Sequence, residues 1–440
     1  MLKSSVAILS GKIAGKASKI IGNGGSNIPG IVARKIDPSL LRSLAVQVEH
    51  IILVSGTNGK TTTANLLASI LKAAGKRVVN NEEGANLLTG ITACLVNNAT
   101  FWGKLAYDYA VIEVDEASLL KMTDQVRPEM VVITNFFRDQ LDRFGEIDIL
   151  IDRVLKSIEP TDAKLLLNAD DPFVMRLGLM DKEKVFFGVG SEAFSTESGR
   201  VSESKFCPVC GNELQYKHVH YGQLGDYECT CGFARPVPRY EVEEIQAGDE
   251  VSFTVAQTAY RLSLQGIHNV YNALAAVACA RELGVTEADI AKGLQSYKAS
   301  NGRMQTFEFN GYPYTLNLVK NPAGVNISLA EVLSDEEPKQ VAFVLNDLVY
   351  DGFDISWIWD ADFERLNRGD IERVVCSGLR ARDMALRMKY AGIDEDKINV
   401  IESNEGMVDE CLSHPMKTYI LPNYTALEPV KKYLEKKANA

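Results

Sequence analysis

The stretch "HIILVSGTNGKTTTANLLASILKAAGKRVVN", His50 to Asn80, decides the fold. An apolar run ends at Ser55, a glycine-containing turn follows, a helical pattern starts at Lys60, and a second short apolar run begins at Val78. Strand, turn, helix and strand in that order open a parallel α/β sheet. Within the turn, Gly56, Thr57, Asn58, Gly59, Lys60, Thr61 and Thr62 have the make-up of a phosphate loop. Backbone N–H groups at a helix start can close on phosphate oxygens, Lys60 adds a positive charge, and the Thr61 hydroxyl can sit on Mg²⁺. Val54 replaces the first glycine of the usual G-x-x-x-x-G-K-[ST] spacing, yet Gly59-Lys60-Thr61 remains at the strand-to-helix junction, so ATP is the expected ligand.

Outward from this turn, buried-strand runs recur at "YAVIEVDE", "EMVVITN" and "AKLLLNAD", interleaved with helical patterns such as "EIDILIDRVLKSI". The first of these ends in Glu113, Asp115 and Glu116; strand alternation puts Glu113 and Asp115 on one side, and one of the two is expected to reach the metal. The reading divides the chain into a basic segment 1–48, an ATP-binding domain 49–305 interrupted by an insertion at 191–238, and a smaller α/β domain 306–440 with strands at "YTLNLV", "QVAFVLN", "RVVCSG" and "TYILP".

The insertion carries Cys207-Pro-Val-Cys210-Gly and Cys229-Thr-Cys231-Gly, with eighteen residues between Cys210 and Cys229. Two glycine-followed cysteine pairs suit the tetrahedral thiolate cage of a structural zinc ribbon. The second pair has one spacer rather than two, which leaves His218 or His220 open as a substitute ligand. Cys94, Cys279, Cys376 and Cys411 stand singly in apolar contexts and read as core.

Across 440 residues the net charge is −11, which argues against a nucleic-acid partner, and no apolar run is long enough to span a membrane. A cytoplasmic protein is expected. Residues 1–36 depart from the acidic balance, with six Lys/Arg and no acid. They read either as a basic helix packed on the acidic remainder or as a segment drawn to anionic headgroups, a peripheral membrane-surface contact.

"GTNGKTTT", "IEVDE", "TNFFRDQLDR", "NADDP", "GIHNVYNALAA" and "NGRM" follow one another as in the ATP-dependent Mur ligases and folylpolyglutamate synthases, and over about 49–305 the chain resembles that family. The resemblance implies a Mur-ligase-type P-loop domain, formation of an acyl phosphate and attack on it by an amine. It also implies Gly56 to Thr62 as the phosphate loop, Thr61 and Glu113 on Mg²⁺ with Glu113 in the catalytic set, Asn269 at the adenine and Arg303 at phosphate. Two departures stand out. Only 1–48 precede the domain, where the amino-acid-adding Mur ligases carry a UDP-binding domain, and Asp139-Gln140-Leu141-Asp142 lacks the histidine of the family's Asp-His-x-Asp.

With the four cysteines and the C-terminal "NDLVYDGFDISWIWD", the chain is similar to a subfamily of Mur-ligase-like synthetase subunits. That likeness implies amidation of the D-glutamate α-carboxylate of a lipid-linked peptidoglycan precursor to D-isoglutamine, at the inner face of the cell membrane, with ammonia delivered by a separate GatD-like glutaminase. It further implies that Asp354 completes the glutaminase's triad in trans. By composition alone, the loop around Trp357 and Trp359 reads as a contact surface or a site; Asp351 with Gly352 reads as a turn and Asp360 as a helix cap. A folylpolyglutamate-type ligase adding a free amino acid is the alternative.

Overall fold

The computed structural model describes residues 2–20, 27–82, 84–138, 147–194, 204–246, 250–297, 304–334 and 336–439. The chain forms two compact units, 1–137 with 147–298 and 138–146 with 299–440.

The first unit is built on a nine-stranded sheet in the order β11-β10-β9-β6-β5-β4-β1-β3-β2. Its strands are β1 (His50–Ser55), β2 (Val78–Asn80), β3 (Tyr109–Glu113), β4 (Met130–Ile133), β5 (Lys164–Asn168), β6 (Lys184–Val189), β9 (Tyr240–Gln246), β10 (Val251–Val255) and β11 (Thr258–Leu262). β2 through β9 pair in parallel, and β9-β10-β11 close the far edge as an antiparallel meander. The central strands are continuous Val/Ile/Leu runs buried on both faces, as parallel strands must be when helices cover them. Register sets the site: Val54 lies opposite Glu113 and Ser55 opposite Ile133, so β1, β3 and β4 end together at one sheet edge. Ligands of open α/β sheets bind beyond such carboxyl ends.

Residues 1–48 belong to this unit. Helices α1 (Leu2–Ile20), α2 (Ile28–Ile36) and α3 (Leu40–Ala45) pack with one another and with α5 (Leu88–Asn98), while α4 (Lys60–Ala73) runs from the phosphate loop against α6 (Ile267–Glu282) and α7 (Glu287–Ser296). The insertion lies between β6 and β9 and contains the antiparallel hairpin β7 (Gln215–Tyr221) and β8 (Leu224–Glu228).

The second unit has a six-stranded sheet, β12-β13-β17-β14-β15-β16, with β12 (Gln305–Phe309), β13 (Tyr312–Leu316), β14 (Lys339–Val344), β15 (Ile371–Ser377), β16 (Ile398–Val400) and β17 (Lys417–Pro422). β12 and β13 form a hairpin; the remaining pairs are parallel. Both faces are covered: Val341 and Phe343 pack with Leu329, Phe363 and Met384, whereas Ala342 and Val344 pack with Met407 and Val430. β12 places "QTFEF" in this second sheet.

Candidate functional site

β1 delivers the chain into the phosphate loop with no room for side chains. A Cβ on Gly56 would lie 2.3 Å from Thr134 Oγ1, and one on Gly59, at φ 85°, 2.0 Å from Asn272 Oδ1. Only glycine satisfies both the left-handed conformation and that approach. The loop is braced by the segment after β4: Thr57 N donates to Asn135 O (2.8 Å), Asn58 N to Asn135 Oδ1 (2.9 Å), Thr134 Oγ1 to Asn58 O (2.8 Å) and Phe137 N to Thr57 Oγ1 (3.0 Å).

Lys60 opens α4 and is buried. Its Nζ donates to Gly56 O, to Thr57 O (3.1 Å) and to Glu116 Oε2 (3.0 Å). Burial pulls the pKa of the ammonium down, but the carboxylates of Glu116, Asp115 and Glu113 outweigh it and hold the group above an ordinary lysine. The amine is a fixed cation where phosphate charge would lie.

Glu113, at the end of β3, is also buried; Oε1 accepts from Asn86 Nδ2 (2.9 Å), while Oε2 is buried without a hydrogen-bond partner. A point beside Gly84 lies 3.4 Å from Thr61 Oγ1 and 3.5 Å from Glu113 Oε2, so hydroxyl and carboxylate converge on one small space. An unpaired buried carboxylate oxygen facing a threonine hydroxyl is the donor set a hard, oxygen-seeking cation such as Mg²⁺ requires.

Asp115 departs from the strand-alternation argument. β3 stops at Glu113, the chain turns into a short 3₁₀ segment, and Asp115 caps it by accepting from Ala117 N (3.1 Å). Asn269, in the first turn of α6, donates to Gln265 O (2.7 Å) and accepts from Asn272 Nδ2 (3.2 Å), the residue whose Oδ1 abuts Gly59. Arg303 and Asp139 to Asp142 lie outside the described residues.

In the insertion the four cysteine sulfurs lie within 4.8 Å of one another, with Cys207 to Cys231 at 3.7 Å and Cys210 to Cys229 at 3.5 Å. A tetrahedron of ~2.3 Å Zn–S bonds has edges of roughly 3.8 Å. The cage therefore fits zinc from thiolates alone. His220 is turned away, with its ring nitrogens 2.5 Å from Phe194 O and 3.1 Å from Val189 O, and His218 is outside the cluster, so neither replaces a cysteine. The hairpin also reaches the phosphate-loop brace: Gln223 Nε2 donates to Phe136 O (2.6 Å), and Tyr221 stacks on Phe137.

In the second unit, Asp354 is half-buried and its Oδ1 accepts from Ser356 N (2.8 Å); hydrogen bonding from the Ser356 side chain first, and from its backbone second, holds the carboxyl below its ordinary range. Around it Leu348, Val349, Tyr350, Phe353 and Trp359 are exposed. Trp359 meets Tyr390 edge-on, with the Arg387 guanidinium 5.4 Å from its centroid, while Trp357 packs into the core. Asp351 does more than shape a turn: it is buried and ties the loop to Thr425 N (2.8 Å) and Thr425 Oγ1. Asp360 follows the 3₁₀ turn Ser356–Trp359, and Asp362, not Asp360, stands before the next turn at Phe363–Leu366, so the expected helix cap is absent there.

The family model for the Mur ligase middle domain matches residues 54–280, and that for the MurT ligase C-terminal domain matches 318–427. The chain is 42% identical, over 99% of its length and 98% of the relative's, to the Lipid II isoglutaminyl synthase (glutamine-hydrolyzing) subunit MurT of Staphylococcus aureus (strain COL). The chain belongs to the MurT family of Mur ligases. The MurT subunit of Streptococcus pneumoniae is 36% identical over 97% of this chain and 96% of its own. A pseudomurein peptide ligase type C from Methanothermus fervidus shares the fold, with a TM-score of 0.68 at 24% identity over 88% of this chain and 79% of that one.

Within this MurT-family chain, Asn86, Thr134, Asn135 and Asn272 join Glu116 around the phosphate loop, and sequence alone singles out only Glu116 among them. Thr134 and Asn135 had a signal, since they open the "TNFFRDQLDR" motif; Asn272 lies inside "GIHNVYNALAA".

Proposed function

We propose that this chain is the synthetase subunit of a two-subunit lipid II isoglutaminyl synthase. It converts the D-glutamate α-carboxylate of a lipid-linked stem peptide to the α-carboxamide. ATP with Mg²⁺ supplies the γ-phosphoryl group, which turns an unreactive carboxylate into an acyl phosphate. Ammonia then attacks the acyl carbon, and phosphate leaves with the former carboxylate oxygen.

The protein's part is electrostatic and positional. Gly56 to Thr62 present backbone N–H groups at the start of α4, Lys60 holds positive charge against the transferring phosphoryl, and Thr61 with Glu113 would hold the metal. Asn269 and Arg303 are assigned to the adenine and a phosphate by the family likeness. Cys207, Cys210, Cys229 and Cys231 would hold zinc as a closed structural site; metal analysis tests this, with a single zinc per chain expected and none in Cys207→Ser.

The nitrogen comes from elsewhere. The cysteines outside the cage are poor nucleophiles: burial pushes the Cys376 and Cys411 thiols up to about 12 and Cys279 higher still, and Cys94 Sγ donates to Asn80 O (3.3 Å). A GatD-like glutaminase would supply ammonia, with Asp354 orienting its catalytic histidine. The observation that carries this reading is the near-full-length identity to two proteins named as glutamine-hydrolyzing synthase subunits.

The test gives the purified chain ATP, Mg²⁺ and a muramyl-peptide acceptor. Amide should form with ammonium alone, and with glutamine only after the glutaminase is added. Use of glutamine by the isolated chain, or ligation of a free amino acid in place of ammonia, contradicts the proposal.

A further inference from the structure

The outer face of α1 is built against the usual rule for surface helices. Its inner face, with Ala7, Ile8, Gly11, Gly15 and Ser18, is buried against the protein. A helix seated in this way ordinarily turns polar residues outward. Here Leu2, Val6, Leu9 and Ile13 point outward, exposed by 83%, 48%, 45% and 58%. At ~100° per residue they fall within roughly 60° of the circumference, a continuous stripe about 17 Å long opposite the buried face.

Charge and aromatic placement specify what the stripe meets. Lys3 and Lys16 are exposed beside it, Lys12 is partly exposed, and 1–36 contain no acid in a chain of net charge −11. Lys12 Nζ donates to Ala99 O (2.5 Å), tying α1 to the turn that bears Phe101 and Trp102, packed edge-on and exposed by 45% and 80%. An apolar stripe flanked by lysines, on a helix tied to a turn that presents a tryptophan, is the composition of an interfacial helix on an anionic bilayer. No described helix is long and apolar enough to cross a membrane, so the contact lies in the surface plane.

We propose that the outer face of α1, with Phe101 and Trp102, docks this protein on an anionic phospholipid surface. The inference deepens the reading above, because a lipid-linked acceptor is presented at such a surface, but it stands on the helix and not on the reaction. A membrane-docked chain meets its acceptor in two dimensions, and a soluble acceptor gains nothing from docking.

Vesicles free of any muramyl peptide test it separately from the chemistry. The full chain, alone and with the glutaminase, should sediment with phosphatidylglycerol vesicles, less with phosphatidylcholine, and less as salt rises. Leu9→Glu with Ile13→Glu replaces two exposed residues and should leave thermal stability and amidation of a soluble acceptor unchanged, while lowering vesicle partition roughly tenfold or more. Lys16→Glu should lose the preference for anionic lipid. Absence of vesicle binding by the unaltered chain and complex, or equal binding by the double variant, overturns the proposal. So does a change of assembly state in the double variant with vesicle binding intact, which would make the stripe a protein interface.

Discussion

The phosphate loop and the Asp354 loop present charge in opposite ways. Lys60 and Glu113 are buried, Lys60 is held by three acceptors, and Glu113 is fixed through one oxygen with the other left open inside the protein. Asp354 is half-exposed and bonded to its own loop through Ser356 N, in a stretch of chain that also exposes Val349, Tyr350, Phe353 and Trp359. The first arrangement gathers its charged groups inside the protein. The second displays a half-exposed carboxylate in a loop that also exposes large apolar side chains. Under the proposed function, the first site would serve the chain's own phosphoryl chemistry and the second would lend a single group to the partner subunit's.

Lys60→Ala should show the largest effect, because it strikes the shared step. Amidation with ammonium and with glutamine should fall together, by on the order of 10³-fold. Glu116 would be left buried without its cation, so a stability loss of about 3–5 kcal/mol should accompany it in denaturant unfolding. Unequal loss of the two reactions would break the comparison.

Truncating exposed apolar side chains near Asp354 in sequence should act on the glutamine-dependent reaction alone. Phe353→Ala with Trp359→Ala should weaken glutaminase binding by about 2 kcal/mol or more, roughly 30-fold in Kd by titration calorimetry, with the ammonium reaction preserved.

A smaller effect comes from Asp171, beneath the phosphate-loop brace. Fully buried, it accepts from Phe136 N (2.7 Å) and Phe173 N (2.9 Å), and burial raises its pKa from 3.8 to about 7. The folded state therefore holds a proton that the unfolded chain releases near pH 4. The stabilisation is complete below that value and is lost as pH rises toward 7. Asp171→Asn has no proton to lose, so the stability of the unaltered protein relative to this variant should decline between pH 4 and 7 in denaturant titrations.

Legibility in the sequence followed the range of the interactions. β1, β3, β4 and β5 are apolar runs whose burial is written in their own residues, and the phosphate loop is local backbone geometry dictated by Gly56 and Gly59. The four cysteines were equally legible, and they cluster in the structure while His220 turns toward carbonyls. What escaped was tertiary bracing: Asn135 reaches Asn58 across 77 positions, and Thr425 reaches Asp351 across 74. Strand alternation does not describe Asp115, because β3 ends at Glu113 and Asp115 caps the 3₁₀ turn that follows, still close enough to act on Lys60. In α1 the lysines obscured both the small-residue face that packs inward and the apolar stripe opposite it.

The central claim, two sites with separable chemistry on one chain, is tested most directly by Asp354→Asn in the reconstituted two-subunit enzyme, with amide formation followed in parallel from ammonium and from glutamine. Asparagine keeps the side chain's size and a carbonyl acceptor for Ser356 N, but removes the charge a neighbouring histidine would use. The ammonium rate should stay within about twofold of the unaltered enzyme while the glutamine rate falls by roughly 10³-fold or more. Equal loss of both rates, or an unchanged glutamine rate, would contradict the account.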